Sequence, residues 1–173
     1  MDEKVTLENL RIAKIKDFHN LNTFTSYEKE LVGFLLEDAL DNQKKNLSVT
    51  FLWFYQEQLA AYITLLTDKI NLEGDLRESF QNKGIYYRSL PALKVGRLCV
   101  NDRFLKRGIG KLMMGFAADK AKEINEDKAG CRFMTVDAKE GSVGFYEKLG
   151  FEPMQAKKDS TTAMCLDLLK PQH

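Results

Sequence analysis

With 173 residues, 44% of them hydrophobic, the chain can bury one core but is too short for two comfortable domains, so one domain over residues 1–173 is expected. The formal net charge of +1 excludes a polyelectrolyte that holds nucleic acid by bulk charge, and makes charge informative only where it clusters. The longest apolar runs fall far short of the roughly 20 residues of a membrane span, so no membrane partner is expected.

Taken in chain order, residues 5–16 read as a first strand with Leu7, Leu10, Ile12 and Ile15 as its apolar positions. Residues 27–42 carry a broad helical stripe of Leu31, Phe34, Leu35 and Ala39, widened by Val32, Leu36 and Leu40, with Ser26 as the expected N-cap. Residues 47–55 and 58–67, separated by Gln56 and Glu57, are rich in β-branched and aromatic side chains and read as a hairpin. Residues 69–90 are less regular; the Glu73-Gly74-Asp75 turn and a short helix over 76–82 suggest an insertion able to shape a substrate cleft.

A strand over residues 93–100 leads into a glycine turn. In the helix that follows, Ile109, Leu112, Met113, Phe116, Ala117, Ala121 and Ile124 keep the helical period, and Gly115 costs it roughly 1 kcal/mol relative to Ala. Met134, Val136 and Ala138 alternate as a strand, a short helix spans 142–150, and residues 162–169 close the sheet. Cys99, Cys131 and Cys165 sit in apolar, strand-like contexts without paired spacing or a histidine cluster. No metal site or disulfide frame is expected, and the odd count without a secretory leader fits a protein of the reducing cytoplasm.

The most informative stretch is Leu93-Lys94-Val95-Gly96-Arg97-Leu98-Cys99-Val100 followed by Leu105-Lys106-Arg107-Gly108-Ile109-Gly110-Lys111. Gly108 and Gly110 let a ligand approach the backbone, and the helix starting there presents unsatisfied N–H groups and its positive dipole end. Lys106, Arg107 and Lys111 add three charges to this phosphate cradle. A dinucleotide fingerprint would need glycine at Met113. A nucleotide-triphosphate loop would need glycine at Leu105 and a hydroxyl residue at Leu112. An isolated glycine pair of this kind also occurs as a turn with no ligand.

Downstream, Ser142-Val143-Gly144-Phe145-Tyr146-Glu147-Lys148-Leu149-Gly150-Phe151 reads as a short helix capped by glycine and re-entering a strand. Together, and with the strand over 132–137 between them, these segments resemble the GNAT superfamily of acyl-CoA N-acyltransferases from residue 93 to residue 151. The resemblance implies an α/β (α+β) fold with a mixed, mainly antiparallel sheet, splayed near residues 98–100 at the cofactor site, and helices on both faces. It also implies that acetyl-CoA is the acyl-donor cosubstrate. Leu98, Cys99 and Val100 would hold the acyl and pantetheine end through their backbone, and Lys106, Arg107, Gly108, Ile109, Gly110 and Lys111 the pyrophosphate. Ser142 would meet the CoA arm or cap its helix. The family usually has Gln or Arg at Leu105, often Gly at Lys106 and frequently Asn at Lys139; the backbone cradle does not depend on these side chains.

Transfer of an acetyl group to an amine needs a neutral nucleophile, a polarised thioester carbonyl and a proton for the departing thiolate. The resemblance assigns that proton to the Tyr146 hydroxyl; outside its motif a buried tyrosine is more often a packing residue. Many relatives with strongly basic acceptors carry a carboxylate in or near the strand of residues 93–100, and here Arg97 stands in its middle. A lysine side chain titrates near 10.4, whereas an α-amino group near 7.7–8.0 is already substantially neutral around pH 7–8, so the strand leans towards an α-amino acceptor. Asp137 or Glu140 acting through water is the other route to a base.

The Gly96-Arg97-Leu98-Cys99-Val100-Asn101 run, with Phe24-Thr25-Ser26, Glu30-Leu31, Phe34-Leu35 and Ala61-Tyr62, looks like one subgroup, the acetyltransferase toxins of bacterial toxin–antitoxin pairs. That resemblance implies the α-amino group of aminoacyl-tRNA as acceptor and a small antitoxin protein as partner. Between residues 88 and 111, Arg88, Lys94, Arg97, Arg103, Lys106, Arg107 and Lys111 face a single acid, Asp102, an asymmetry that suits tRNA phosphates or CoA equally. Three readings stay open at this point: a primary amine of another kind as acceptor, aminoacyl-tRNA, and a CoA-binding module without catalysis. A homodimer follows from family analogy alone.

Overall fold

The computed structural model describes residues 4–158 and 160–170, with the backbone alone at 155–158. Its strands are β1 (Leu10–Lys14), β2 (Val49–Tyr55), β3 (Gln58–Asn71), β4 (Ser89–Val100), β5 (Phe133–Lys139), β6 (Glu152–Lys158) and β7 (Thr161–Asp167). The helices are α1 (Lys29–Gly33), α2 (Ala39–Lys44), α3 (Gly74–Gln81), α4 (Ile109–Asp127) and α5 (Val143–Glu147). The strands form one seven-stranded sheet in the order β1-β2-β3-β4-β5-β7-β6, with antiparallel pairing in β1/β2, β2/β3, β5/β7 and β6/β7. The chain divides into two compact units, Met1–Leu66 with Val95–Asp119, and Thr67–Lys94 with Lys120–His173.

In the first unit, alternation along β2 sends successive side chains to opposite faces. Leu52 and Phe54 join Ile15, Phe24, Leu35, Ala39, Leu59, Tyr62 and Cys99 in a buried cluster built on the α1–α2 segment. Phe51 and Trp53 point the other way and meet the Phe116 ring of α4 edge-on at 4.9 and 5.5 Å. β2 is therefore covered by helix on both faces. The hairpin turn at Gln56 and Glu57 has φ of +48° and +61°, the left-handed pair whose twist suits two antiparallel strands. In β4, a Cβ added to Gly96 would stand 2.7 Å from Cδ2 of Leu66, so glycine here permits the close approach of β3.

Two expectations for this unit are corrected. The first strand is only five residues long, because Thr6 and Asn9 bond side chain to side chain at 2.6 Å and hold residues 7–9 in a 3-10 turn. The helix over 27–42 begins at Lys29 with Glu28, not Ser26, at its N-cap, and Phe34–Asp38 is a π-helical segment between α1 and α2. The buried Ser26 instead accepts the Glu28 N–H at 3.2 Å in a turn just ahead of the helix.

The second unit is built on Ile70, Leu72, Phe80, Leu90, Ala92 and Phe133, so the irregular 69–90 stretch contributes a core helix, α3, rather than a surface insertion alone. Arg132 grips Asp167 with two bonds of 2.7 and 2.9 Å while lying over the Phe80 ring. Burial pushes the Asp167 carboxyl up, but the Arg132 guanidinium, the Leu169 N–H and the Lys83 charge together hold the group below its ordinary value. Asn125 closes the loop after α4 by bonding both the N–H and the carbonyl of Cys131.

Candidate active site

β4 is followed at once by Asn101, a buried side chain with four hydrogen bonds. Its Oδ1 accepts from the Arg103 N–H at 3.1 Å and the Thr25 hydroxyl at 3.3 Å, and its Nδ2 donates to the carbonyls of Leu59 and Thr23 at 3.2 and 3.4 Å. One residue on, the Asp102 N–H donates to Thr25 O and the Asp102 carboxylate accepts from the Tyr27 N–H. These bonds fix the path from β4 through the 3-10 turn Asp102–Phe104 to the glycine turn. Asparagine after a strand and before a tight turn is a recognisable local signal, yet the sequence offered no way to see that it also ties residues 23–25 to the start of β3.

In the turn itself Lys106 and Gly108 have φ of +62° and +86°. Turn conformations can bring successive N–H groups to one side, which is how backbone nests bind anions. Leu112 is the first residue of α4 to donate back, to Gly108 O at 3.3 Å, so the N–H groups of Ile109, Gly110 and Lys111 have no acceptor within the helix. Lys106, Lys111 and Gly108 are exposed, while Arg107 is half-buried over the Phe104 ring at 5.5 Å and its carbonyl accepts from the Val5 N–H. A non-glycine residue in the left-handed region costs about 1–2 kcal/mol. Lys106 is thus a strained residue in the turn to which the sequence reading assigns a phosphate.

On β4, the Cys99 side chain belongs to the buried cluster of the first unit. Its backbone is therefore the part of Cys99 that the sequence reading assigns to a ligand. In the second unit, α5 begins after Ser142, whose hydroxyl makes no capping bond. The helix ends as the glycine predicts: Gly150 takes φ +88°, and the Phe151 N–H returns to Tyr146 O at 3.1 Å. Tyr146 is buried at 7% exposure with the rings of Phe145 and Phe151 edge-on at 5.0 and 5.7 Å. This apolar enclosure pushes its hydroxyl up to about 12, so it carries its proton at neutral pH, as a general acid must.

Of the two carboxylates considered as bases, Asp137 is committed to Lys94 at 2.6 Å, and Glu140 is exposed. Of the basic residues between 88 and 111, Arg88, Arg103, Lys106 and Lys111 are exposed, Lys94 is paired, and Arg97 lies over the Phe34 ring. Among the described residues no cluster of His, Cys, Asp or Glu could hold a metal ion, and no helix is long and apolar enough to cross a membrane.

A family model described as the acetyltransferase (GNAT) domain matches residues 20–162. The chain belongs to the GNAT acetyltransferases. As a GNAT protein it also resembles solved structures that share the fold at low identity. One is AtaT complexed with acetyl-methionyl-tRNAfMet, at 20% identity and a TM-score of 0.79, over 91% of this chain and 94% of that one. Another is a KacT variant with one tyrosine replaced by phenylalanine, at 20% identity and a TM-score of 0.78, over 92% and 95%. A third is AtaTR bound with acetyl-CoA, at 21% identity and a TM-score of 0.77, over 94% and 95%. The GNAT family is an acyltransferase family, and the mixed seven-stranded sheet is the fold its motifs imply.

Proposed function

We propose that this GNAT protein is an acetyl-CoA-dependent N-acetyltransferase that acetylates a primary amine by direct attack, and that its acceptor is the α-amino group of aminoacyl-tRNA. The observation that carries the donor half is the turn of Lys106, Arg107, Gly108, Ile109, Gly110 and Lys111, whose left-handed residues and unbonded helix N–H groups suit a pyrophosphate. Support for the acceptor half comes from β4, which offers no carboxylate to deprotonate a strongly basic amine, and from AtaT, solved with acetyl-methionyl-tRNAfMet.

In this reading the backbone of Leu98, Cys99 and Val100 holds the acyl and pantetheine end and polarises the thioester carbonyl. The neutral amine attacks that carbon, the C–N bond forms and the C–S bond breaks. Tyr146 gives its proton to the departing sulfur and is restored, through water, by the proton the nitrogen loses. Ser142 contacts the CoA arm. The same assignment makes a small antitoxin protein a partner, as AtaR is for AtaT, and the cytoplasm its compartment; a homodimer is proposed by family analogy alone.

The test is to give the purified protein acetyl-CoA with a total aminoacyl-tRNA pool and, in parallel, with a panel of amines and peptides, following CoA release. Release confined to aminoacyl-tRNA supports the whole proposal. Release with small amines or peptides alone removes the tRNA half, and acetyl-CoA binding with no transfer to any acceptor would leave a binding module.

A further inference from the structure

Arg97 stands in β4 one residue before Leu98 and is half-buried. Its guanidinium lies 5.0 Å from the centre of the Phe34 ring, Nη1 donates to the Gly96 carbonyl at 2.8 Å, and Nε is buried without an acceptor among the described residues. Nη2 is neither bonded nor enclosed there, so the group keeps one donor edge open. Lys94, on the same strand, has Asp137 as its counter-charge, and Arg132 has Asp167; among the described residues Arg97 has no carboxylate within ion-pair distance. Glu30 shares its neighbourhood around the Tyr62 hydroxyl, which donates to Leu31 O. A half-buried guanidinium over an aromatic ring, bonded to one backbone carbonyl and with no ion pair among the described residues, is arranged to meet an acceptor from outside the chain.

We infer that Arg97 reads the oxygen beside the reacting amine: its open N–H edge donates to the carbonyl of an α-aminoacyl ester or amide and so selects such acceptors over amines with no adjacent carbonyl. The inference rests on the reaction proposed above, because it takes Leu98 as a residue that holds the acyl group. If the acyl carbon is held by the Leu98 backbone, the nitrogen attacking it comes to van der Waals contact there, and the long Arg97 side chain, anchored one residue away, can reach the atoms next to that nitrogen. A guanidinium donates and never accepts, so what it can bind there is an oxygen. Its charge also opposes a second ammonium, which disfavours polyamines and lysine-like acceptors.

The test compares phenylalaninamide with phenethylamine, which lacks the carboxamide, in wild type, Arg97→Met and Arg97→Lys, following CoA release and counting only neutral amine. A total aminoacyl-tRNA pool is run beside them. The ratio of kcat/KM for amide over amine should fall at least about tenfold in Arg97→Met, mostly through KM for the amide, and be partly regained in Arg97→Lys. Acetyl-CoA affinity in Arg97→Met should stay within about threefold of wild type. Equal loss with both acceptors, no loss with either, or a parallel loss of acetyl-CoA affinity would make Arg97 a packing residue and overturn the inference. A wild type that acetylates phenethylamine as well as it does the amide also overturns it, while leaving the transferase reading standing. A wild type that binds acetyl-CoA and acetylates nothing, aminoacyl-tRNA included, overturns both.

Discussion

The turn before α4 and the helix carrying Tyr146 both hinge on a left-handed glycine, Gly108 at +86° and Gly150 at +88°, yet they are built on opposite principles. The first leaves Lys106, Gly108 and Lys111 exposed and the N–H groups of Ile109, Gly110 and Lys111 without an acceptor in the helix, so an anion gripped there would be held by the main chain. The second uses its glycine to fold the chain back, so that Phe151 closes over Tyr146 and one hydroxyl is enclosed in apolar surroundings. A site made of backbone tolerates side-chain change; a site made of one buried side chain does not.

The sharpest way to break this contrast is Tyr146→Phe, which removes a single oxygen. Turnover should fall at least about tenfold with acetyl-CoA affinity nearly unchanged, measured by CoA release and by titration calorimetry; equal turnover would dispose of the acid role. The same hydroxyl gives a pH signature. Its folded value, about 12, lies above the unfolded value near 10, so the stabilisation from burying the neutral group is complete below about pH 10 and is lost as pH rises through 12. Wild type should lose roughly 2 kcal/mol more than Tyr146→Phe over that window in denaturant titrations.

Asn101→Ala comes next. It leaves the Thr23 and Leu59 carbonyls and the Arg103 N–H without their partner, and should cost roughly 2–4 kcal/mol of stability, read as a lower urea midpoint at unchanged slope. Gly108→Ala should cost about 1–2 kcal/mol through its φ alone, since a Cβ there meets open space, and should weaken acetyl-CoA binding about tenfold if the turn is the cradle. Leu105→Ala sharpens the comparison from the other side. This side chain is 41% exposed, and its truncation should change acetyl-CoA affinity less than about twofold, because the nest needs only its backbone.

Much of the molecule is legible in the sequence because its signals are local. The hairpin at Gln56 and Glu57, the glycine turn and the Leu149-Gly150-Phe151 return follow from turn chemistry and periodicity. The π-helical segment at Phe34–Asp38 lies inside a stripe that reads as an ordinary helix, since widened helical geometry leaves no mark on apolar spacing. The role of α3 was equally hidden: Phe80 is buried against Phe133, a contact between residues far apart in the chain. Lys94 and Arg97 show the same limit. Both read as basic residues of one strand, and only the fold gives Asp137 to the first and the Phe34 ring to the second.

The central claim is that acetyl leaves CoA for an α-amino group with Tyr146 supplying the proton to sulfur. It is tested most directly by incubating the protein with acetyl-CoA and a total aminoacyl-tRNA pool, releasing the amino acids from the tRNA and reading their masses. The account predicts aminoacyl groups heavier by one acetyl with wild type, and at least about tenfold fewer of them with Tyr146→Phe. Unmodified aminoacyl groups alongside an acetylated amine or peptide from the parallel panel would contradict it.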